Sequence, residues 1–388
     1  MCSPITLPLQ VATHCPTEVG DDLRGHPGLR VRFSPDIFRA QTHGGVSRYI
    51  TELHRELLDL NVDSRILAGL HCNSYLRGLE RTTGVNVTRL RPIRGRQAIT
   101  KVADRVLERA WTARQDHRTI WHKSMFDRRV PTGPRLAVTV YDMIHERYPE
   151  QFGTRDVTPP SKRPWCEAAG VVFTISNTTR DDLLERFHLP PEKVVVTYLG
   201  VTEVEPRPGP LPFGDEPWAV YVGERSKPYK NWHRALDAVA ALGADGRLAC
   251  FGPPMSADDR SAVEARGLGS RVRFIGGDDR DLARAYRGAS VLLYPSLFEG
   301  FGLPPLEAMA HGCPVVAARA GAIPEIVGEA ATLVDPTDVD ALAGALETTL
   351  RGGESVEASR RAGRTRAAEF TWDKTAVATL GGYSTIRR

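Results

Sequence analysis

The sequence has no apolar run approaching the ~18–20 residues that cross a bilayer. Its cleanest apolar stretches, such as Gly170–Ile175 and Val291–Tyr294, have the length of a strand. Cysteine is sparse: six residues are scattered over 388, and no two form a C-x-x-C pair. That argues against a structural zinc site. In a chain long enough to bury its own core, it also argues against a disulfide-stapled scaffold. An excess of one charge is missing too. The 51 basic and 47 acidic residues leave +4, and of the basic residues only seven are Lys. So mild a balance does not point to nucleic acid. Met1–Asp21 has neither a basic start nor a long apolar stretch, so no secretory leader is expected, and the reducing cytoplasm is the expected compartment. There is no low-complexity tract and no repeat of solenoid length.

What is present is alternation. Apolar residues make up 41% and charged residues 25% of the chain, a globular composition of a size for two or three domains. In the first half, Arg30–Phe33, Ser64–Leu67, Val85–Thr88, Thr119–Trp121, Leu136–Tyr141, Val171–Ser176 and Val194–Tyr198 read as strands. Val46–Leu60, Ile99–Arg114 and Thr178–Phe187 read as helices, the last with Asn177 placed as its cap. Glu205–Pro217 (EPRPGPLPFGDEP) then holds five prolines and reads as a semi-rigid joint. Beyond it the alternation restarts. Strands are expected at Trp218–Val222, Leu248–Phe251, Val272–Ile275, Val291–Tyr294, Pro314–Ala317 and Ala331–Val334. Helices are expected at Trp232–Leu242, Ala257–Ala265, Leu282–Arg287, Pro305–His311 and Val339–Leu350. Alternating β and α elements predict parallel sheets covered on both faces. The expected fold class is therefore α/β, with two doubly wound Rossmann-like domains and a ligand in the cleft between them, at the carboxyl ends of the strands.

The chemistry concentrates in Ser296–Ala317 (SLFEGFGLPPLEAMAHGCPVVA). The segment follows a strand, turns through Gly300 and Gly302 and opens a helix at a proline-rich first turn. Backbone N–H groups at such a turn favour an anion. Glu299 in the loop suits sugar hydroxyls, and Glu307, eight residues on and inside the helix, suits a ribose diol. A lone E-G-x-G fragment would equally serve as a plain turn beside a solvated glutamate. A second cluster, Gly223–Asn231 (GERSKPYKN), follows the first strand of the second half. It carries Arg225, Lys227 and Lys230, read either as a surface basic loop or as cations for a diphosphate.

The whole stretch resembles the E-x-F-G-L-P-x-x-E-A signature of the retaining glycosyltransferases of family four, which have the GT-B fold. The resemblance runs from about Val31 to the C-terminus. Asp36–Leu53, with Gly44-Gly45 before a helix, looks like the family's first loop, and Gly321–Gly328 (GAIPEIVG) like its G-x-x-E-I-V segment. The resemblance implies a catalytic set of Glu299, Arg225 and Lys230, with Glu299 orienting the transferred sugar and the two cations on the diphosphate. It implies donor-binding roles for Gly45, Phe301, Gly302, Leu303 and Glu307. In chemical terms, cations aimed at a leaving diphosphate stabilise its growing charge, and Gly45 lets backbone approach without a Cβ. The boundaries it implies are an extension over 1–28, an acceptor domain over 29–204, a linker over 205–217, a nucleotide-sugar domain over 218–368 and a last helix over 369–388 that crosses back onto the first domain.

For the acceptor or the sugar, the first half offers His122, Tyr141 and Asp142 at strand ends, with His145 nearby; each histidine reads also as a satisfied or exposed residue, the commoner fate of a lone His. Many relatives carry His where this chain has Tyr141. No general base stands out, and the family's front-face mechanism requires none. Asp338-Val-Asp340 spells D-x-D but opens a helix, where acids suit the dipole, so no metal and no cofactor are expected. The partners implied are a nucleotide-sugar donor and a hydroxyl acceptor, with no nucleic acid. Loops reading G-G-V-S-R-Y in mannosyl transferases suggest GDP-mannose, with UDP- and dTDP-sugars open. Arg89–Arg118 holds nine basic residues. It reads as an ordinary surface helix or as a peripheral contact with an anionic membrane. The rival functions are a nucleotide-sugar epimerase of the same fold, a silent carbohydrate-binding protein, and a nicotinamide oxidoreductase. The last is disfavoured because no G-x-G-x-x-G follows the first strand of either half.

Overall fold

The computed structural model describes residues 28–67, 70–71, 73–76, 79, 88–89, 118–127, 130, 135–152 and 158–386. Its strands are β1 (Arg30–Phe33), β2 (Asp63–Ile66), β3 (Leu70–His71), β4 (Thr88–Arg89), β5 (Thr119–Lys123), β6 (Arg135–Val140), β7 (Val171–Thr174) and β8 (Val194–Val196) in the first half. The second half has β9 (Ala219–Val222), β10 (Leu248–Phe251), β11 (Val272–Ile275), β12 (Val291–Tyr294), β13 (Val315–Ala318) and β14 (Thr332–Val334). They form two six-stranded sheets, ordered β2-β1-β5-β6-β7-β8 and β11-β10-β9-β12-β13-β14, and β3 pairs with β4. Every pairing is parallel.

The physical origin of this arrangement is visible in the strands. β7 and β12 are buried along their whole length, as strands with helices on both faces must be. In each sheet the chain order reverses beside the first strand, between β1 and β5 and between β9 and β12. Such reversals open a crevice at the carboxyl ends of the two strands. The loops that leave β9 and β12 are the basic loop and the E-G-F-G loop, so topology alone brings them together.

The expected strands and helices that fall among the described residues are recovered with shifts of a few residues, and Arg30–Phe33, Leu248–Phe251, Val272–Ile275, Val291–Tyr294 and Val339–Leu350 have the expected bounds. Asn177 is not a cap. Ser176 takes that place, its Oγ accepting from Thr179 N at 3.1 Å, and Asn177 is the first helical residue. The helix Thr158–Ala168 escapes the pattern because its prolines read as a loop. Pro159 and Pro160 lie in its first turn, where a missing N–H costs nothing. Asp338 does cap the helix Val339–Leu350, accepting from Ala341 N at 2.9 Å. The expected helix Ile99–Arg114, most of Val85–Thr88 and the extension up to residue 27 lie outside the described residues. Among those described, no helix is long and apolar enough to cross a membrane.

The last helix, Trp372–Thr385, returns to the first half. Thr375 Oγ1 donates to Tyr198 O at 2.6 Å, and a Cβ on Gly382 would lie 2.3 Å from Phe173 Cε1. Its Tyr383 hydroxyl lies 2.5 Å from Nδ1 of His122, whose Nε2 lies 2.7 Å from Thr139 Oγ1. Phe33 and Phe173 pack on the same imidazole at 5.2 and 5.4 Å.

Burial pushes the His122 imidazole down to about 3. In the unfolded chain a histidine takes its proton near pH 6.5. Between those values the unfolded state binds the extra proton, so stability falls as pH falls, by about 1.4 kcal/mol per pH unit from this group. Urea midpoints should therefore drop on acidification from neutrality. The slope should be shallower in His122→Gln; an equal slope would remove His122 as the cause.

Candidate active site

The site is assembled from backbone contacts before any charge is considered. Leu297 N donates to Tyr229 O at 2.7 Å. Asn231, held in the left-handed region at φ 59°, sends Nδ2 to Pro295 O at 3.0 Å and to Pro336 O at 2.7 Å. These bonds zip the loop over 223–231 to the loop over 295–302. Ala322 N then donates to Glu299 O at 3.0 Å. Gly321, at φ +55°, passes so close that a Cβ would lie 2.7 Å from that oxygen.

Within this frame Lys230 Nζ meets Glu299 Oε1 at 2.6 Å, both side chains being mostly buried. The ammonium also lies 5.4 and 5.5 Å from the ring centres of Tyr229 and Tyr294. Gly302, at φ 110°, begins the helix Leu303–Ala310, and no side chain caps that end. Pro304 and Pro305 have no N–H, so Leu303 N is the first-turn donor without a partner inside the helix, and with the helix dipole the turn favours an anion. Phe301 N, Gly302 N and Leu303 N belong to this turn. The Phe301 ring is buried against Phe370 at 6.0 Å, which leaves its backbone as the part able to face a ligand.

The loop over 295–302 is docked on the first half. Gly300 O accepts from Ser176 Oγ at 2.7 Å and from Thr179 Oγ1 at 3.3 Å. A Cβ on Gly300 would lie 2.0 Å from Tyr141 O and 2.9 Å from the Asp142 Cβ. Gly45 faces the same loop, its absent Cβ 3.2 Å from Leu303 Cδ1. Nearby, the Glu325 carboxylate accepts from Asn177 N at 2.7 Å, Thr178 N at 3.0 Å and the Tyr198 hydroxyl at 2.8 Å. A second-half carboxylate thus completes, at Asn177 N and Thr178 N, the cap that Ser176 begins on a first-half helix.

Glu307 lies in a pocket between the halves lined by Arg48, Asp279, Tyr286 and His311. Arg48 pairs with its Oε1, and Tyr286 donates to its Oε2 at 3.3 Å. Burial pushes the Glu307 carboxyl up; the Arg48 guanidinium opposes this without cancelling it.

The expected residues fare differently. Glu299, Lys230, Gly45, Phe301, Gly302 and Leu303 gather at one place, joined by Tyr141 and Asp142 through Gly300. Asp142 Oδ1 accepts from Ile144 N at 3.0 Å, and His145 stacks on Phe152 at 3.8 Å. His122 corrects the sequence reading. It is fully buried with both ring nitrogens engaged, so it packs the core and offers nothing to an acceptor. Arg225 is neither a solvated residue nor free in the cleft. It is buried, ion-paired with Asp259 at 3.1 Å, and donates to Pro253 O at 2.6 Å and Pro254 O at 3.1 Å. Its Nη1 is buried without a hydrogen-bond partner, beside Gly252. Lys227 sits 4.0 Å from Glu224. Of Arg89–Arg118 only the two ends fall within the described residues. Arg48, Ser176, Asp279 and Glu325 escape the sequence reading. Two of them lie inside the quoted GGVSRY and GAIPEIVG stretches, but nothing in one sequence says what they touch.

Two parallel doubly wound halves facing each other across a cleft define the GT-B architecture. Two family models match the chain. The model described as Glycosyltransferase Family 4 matches residues 43–203, and the one described as Glycosyl transferases group 1 matches 216–351. Each model matches less than half of the chain, and between them they mark both halves as those of a glycosyltransferase. It is 29% identical to the MMP alpha-(1->4)-mannosyltransferase of Mycolicibacterium hassiacum, over 89% of this chain and 96% of that one. It is 28% identical to the O-antigen chain mannosyltransferase B of Escherichia coli, over 71% and 77%. Anabaena HepE, solved in complex with UDP-glucose, shares the fold at a TM-score of 0.67 and 17% identity, over 91% and 98%.

Gly300→Ala should force the halves apart while each keeps its secondary structure. Small-angle scattering should show a larger radius of gyration with unchanged far-UV circular dichroism. An unchanged radius would show that the contact yields at no cost.

Proposed function

We propose that the protein transfers a hexose-type sugar, with retention and without a metal, from a nucleoside diphosphate sugar to a hydroxyl. The acceptor classes are a glycan, a lipid-linked saccharide or a natural product. The observation that carries this reading is the Lys230–Glu299 pair at the crevice of the second sheet, beside an uncapped helix N-terminus. Glu299 accepts hydroxyls of the transferred sugar and fixes its pose. As the glycosidic bond breaks, charge grows on the departing diphosphate. Lys230 and the backbone N–H groups of the 301–303 turn stabilise it, with no charge having to move into place at that moment. Glu307 takes the ribose diol, and Gly45 lets the first half approach the diphosphate. The leaving phosphate accepts the acceptor's proton, which is why no protein base is required.

The two mannosyltransferase relatives support mannose as the transferred sugar, the HepE complex supports a nucleotide-sugar donor, and GDP-mannose is the first donor to test. UDP- and dTDP-sugars complete the set to test. The reading places the enzyme in the cytoplasm, with Arg89–Arg118 as the segment that would touch an anionic membrane; liposome sedimentation with and without anionic lipid decides that point.

Incubation with GDP-mannose, UDP-glucose and a dTDP-sugar should release nucleoside diphosphate from one of them, faster with acceptor and equally fast in EDTA. Glu299→Ala should lower transfer by about 100-fold or more, the scale of losing a group that acts on the transition state, with the far-UV circular dichroism of a folded protein retained. Lys230→Ala should weaken binding of the free diphosphate. Full activity of both variants would refute the assignment.

A further inference from the structure

The pocket that holds Glu307 is completed from the opposite half. Arg48 lies in the first turn of the helix Gly45–Asp59. Its side chain is 9% exposed, and its guanidinium crosses the cleft to Glu307. A second first-half group does the same nearby: the Tyr75 hydroxyl donates to Asp279 Oδ1 at 3.3 Å.

A carboxylate buried this deeply needs a compensating charge. The groups around Glu307 show where it comes from. Asp279, from the helix Asp279–Gly288, adds negative charge. Tyr286 of that helix contributes a neutral hydroxyl, and Tyr75 of the first half is another. His311, just past the end of the helix that carries Glu307, has its imidazole pushed down by burial, so it brings no positive charge near neutrality. Arg48 is the cation paired with this carboxylate among the described residues, and the first half supplies it.

We propose that Arg48 is a positioning residue for the donor: reaching across the cleft, it supplies the counter-charge and the orientation of Glu307, so that the ribose diol meets a ready carboxylate only when the two halves are together. The proposal rests on reading Glu307 as the ribose carboxylate. The hydrogen-bonding capacity of the Glu307 carboxylate suffices for both partners. An ionised carboxylate has about four acceptor positions; Arg48 occupies one on Oε1 and Tyr286 one on Oε2. A protonated acid would turn an acceptor into a donor and serve two hydroxyls poorly. Donor affinity is thereby linked to domain closure and to the charge of Glu307.

The test is calorimetric titration of GDP-mannose and UDP-glucose into the wild type, R48K and R48Q between about pH 5.5 and about pH 8. One unit of pKa displacement is a tenfold effect. R48Q should therefore bind at least about ten-fold more weakly at the acid end than at the alkaline end. The wild type and R48K should change much less, and E307Q should show no such pH dependence. An R48Q profile parallel to the wild type overturns the proposal. A donor-independent measurement accompanies it: the 13C-carboxyl resonance of Glu307, identified by its loss in E307Q, should titrate higher in R48Q and return in R48K. An unmoved titration overturns the role of Arg48. Failure of the wild type to bind any nucleotide sugar counts instead against the donor reading, and the carboxyl titration still decides the ion pair.

Discussion

The structure depends on how closely the backbone at Gly300 approaches the first half. Its carbonyl is held by Ser176 and Thr179, and its missing side chain is the space that Tyr141 O occupies. Glycine is required here for close approach rather than for a positive φ. The neighbours inherit their positions from this contact. Glu299 precedes it and meets Lys230; Gly302 follows it and starts the helix that carries Glu307; Glu325 and the Asn177–Phe187 helix close the adjacent seam. A conformational change of the two halves would move Glu299 and Glu307 in concert against the first half.

The charges in the cleft are arranged in pairs that span elements rather than along one. Lys230–Glu299 joins the loops leaving β9 and β12. Arg48–Glu307 joins the two halves. Such pairs are weak evidence for stability, because desolvation offsets their attraction. Their value is positional. Each puts a carboxylate with acceptor capacity to spare at a defined place, next to a cation that keeps it compatible with burial. Arg225 shows the opposite use: a basic residue from the same motif is turned into the packing around Asp259 and Phe274, with one nitrogen left over.

Much of this was legible in the residues. Unbroken apolar runs such as Val291–Tyr294 announced parallel strands, because a strand with helices on both faces has no polar side. The proline-rich stretch over 205–217 falls between the last strand of one sheet and the first of the next. The E-G-F-G-L-P-P-L-E-A stretch announced a loop-to-helix turn with two carboxylates. What misled was the histidine. A His at the end of a strand reads as a ligand, and only the arrival of Tyr383 from a helix 261 residues away shows that both its nitrogens are engaged inside the core. Asn177 misled for a local reason: Ser176, one residue earlier, is the better placed acceptor for Thr179 N.

The sequence by itself determined the α/β alternation, the two halves and the residue types of the cleft, because these follow from periodicity and from short contiguous motifs. Tertiary structure alone decided which residues face one another across the cleft. Arg48 to Glu307, Ser176 to Gly300 and Asn177 to Glu325 are pairs separated by more than a hundred residues. No local pattern encodes them, because they arise only when two sheets, each folded by its own rules, are brought face to face.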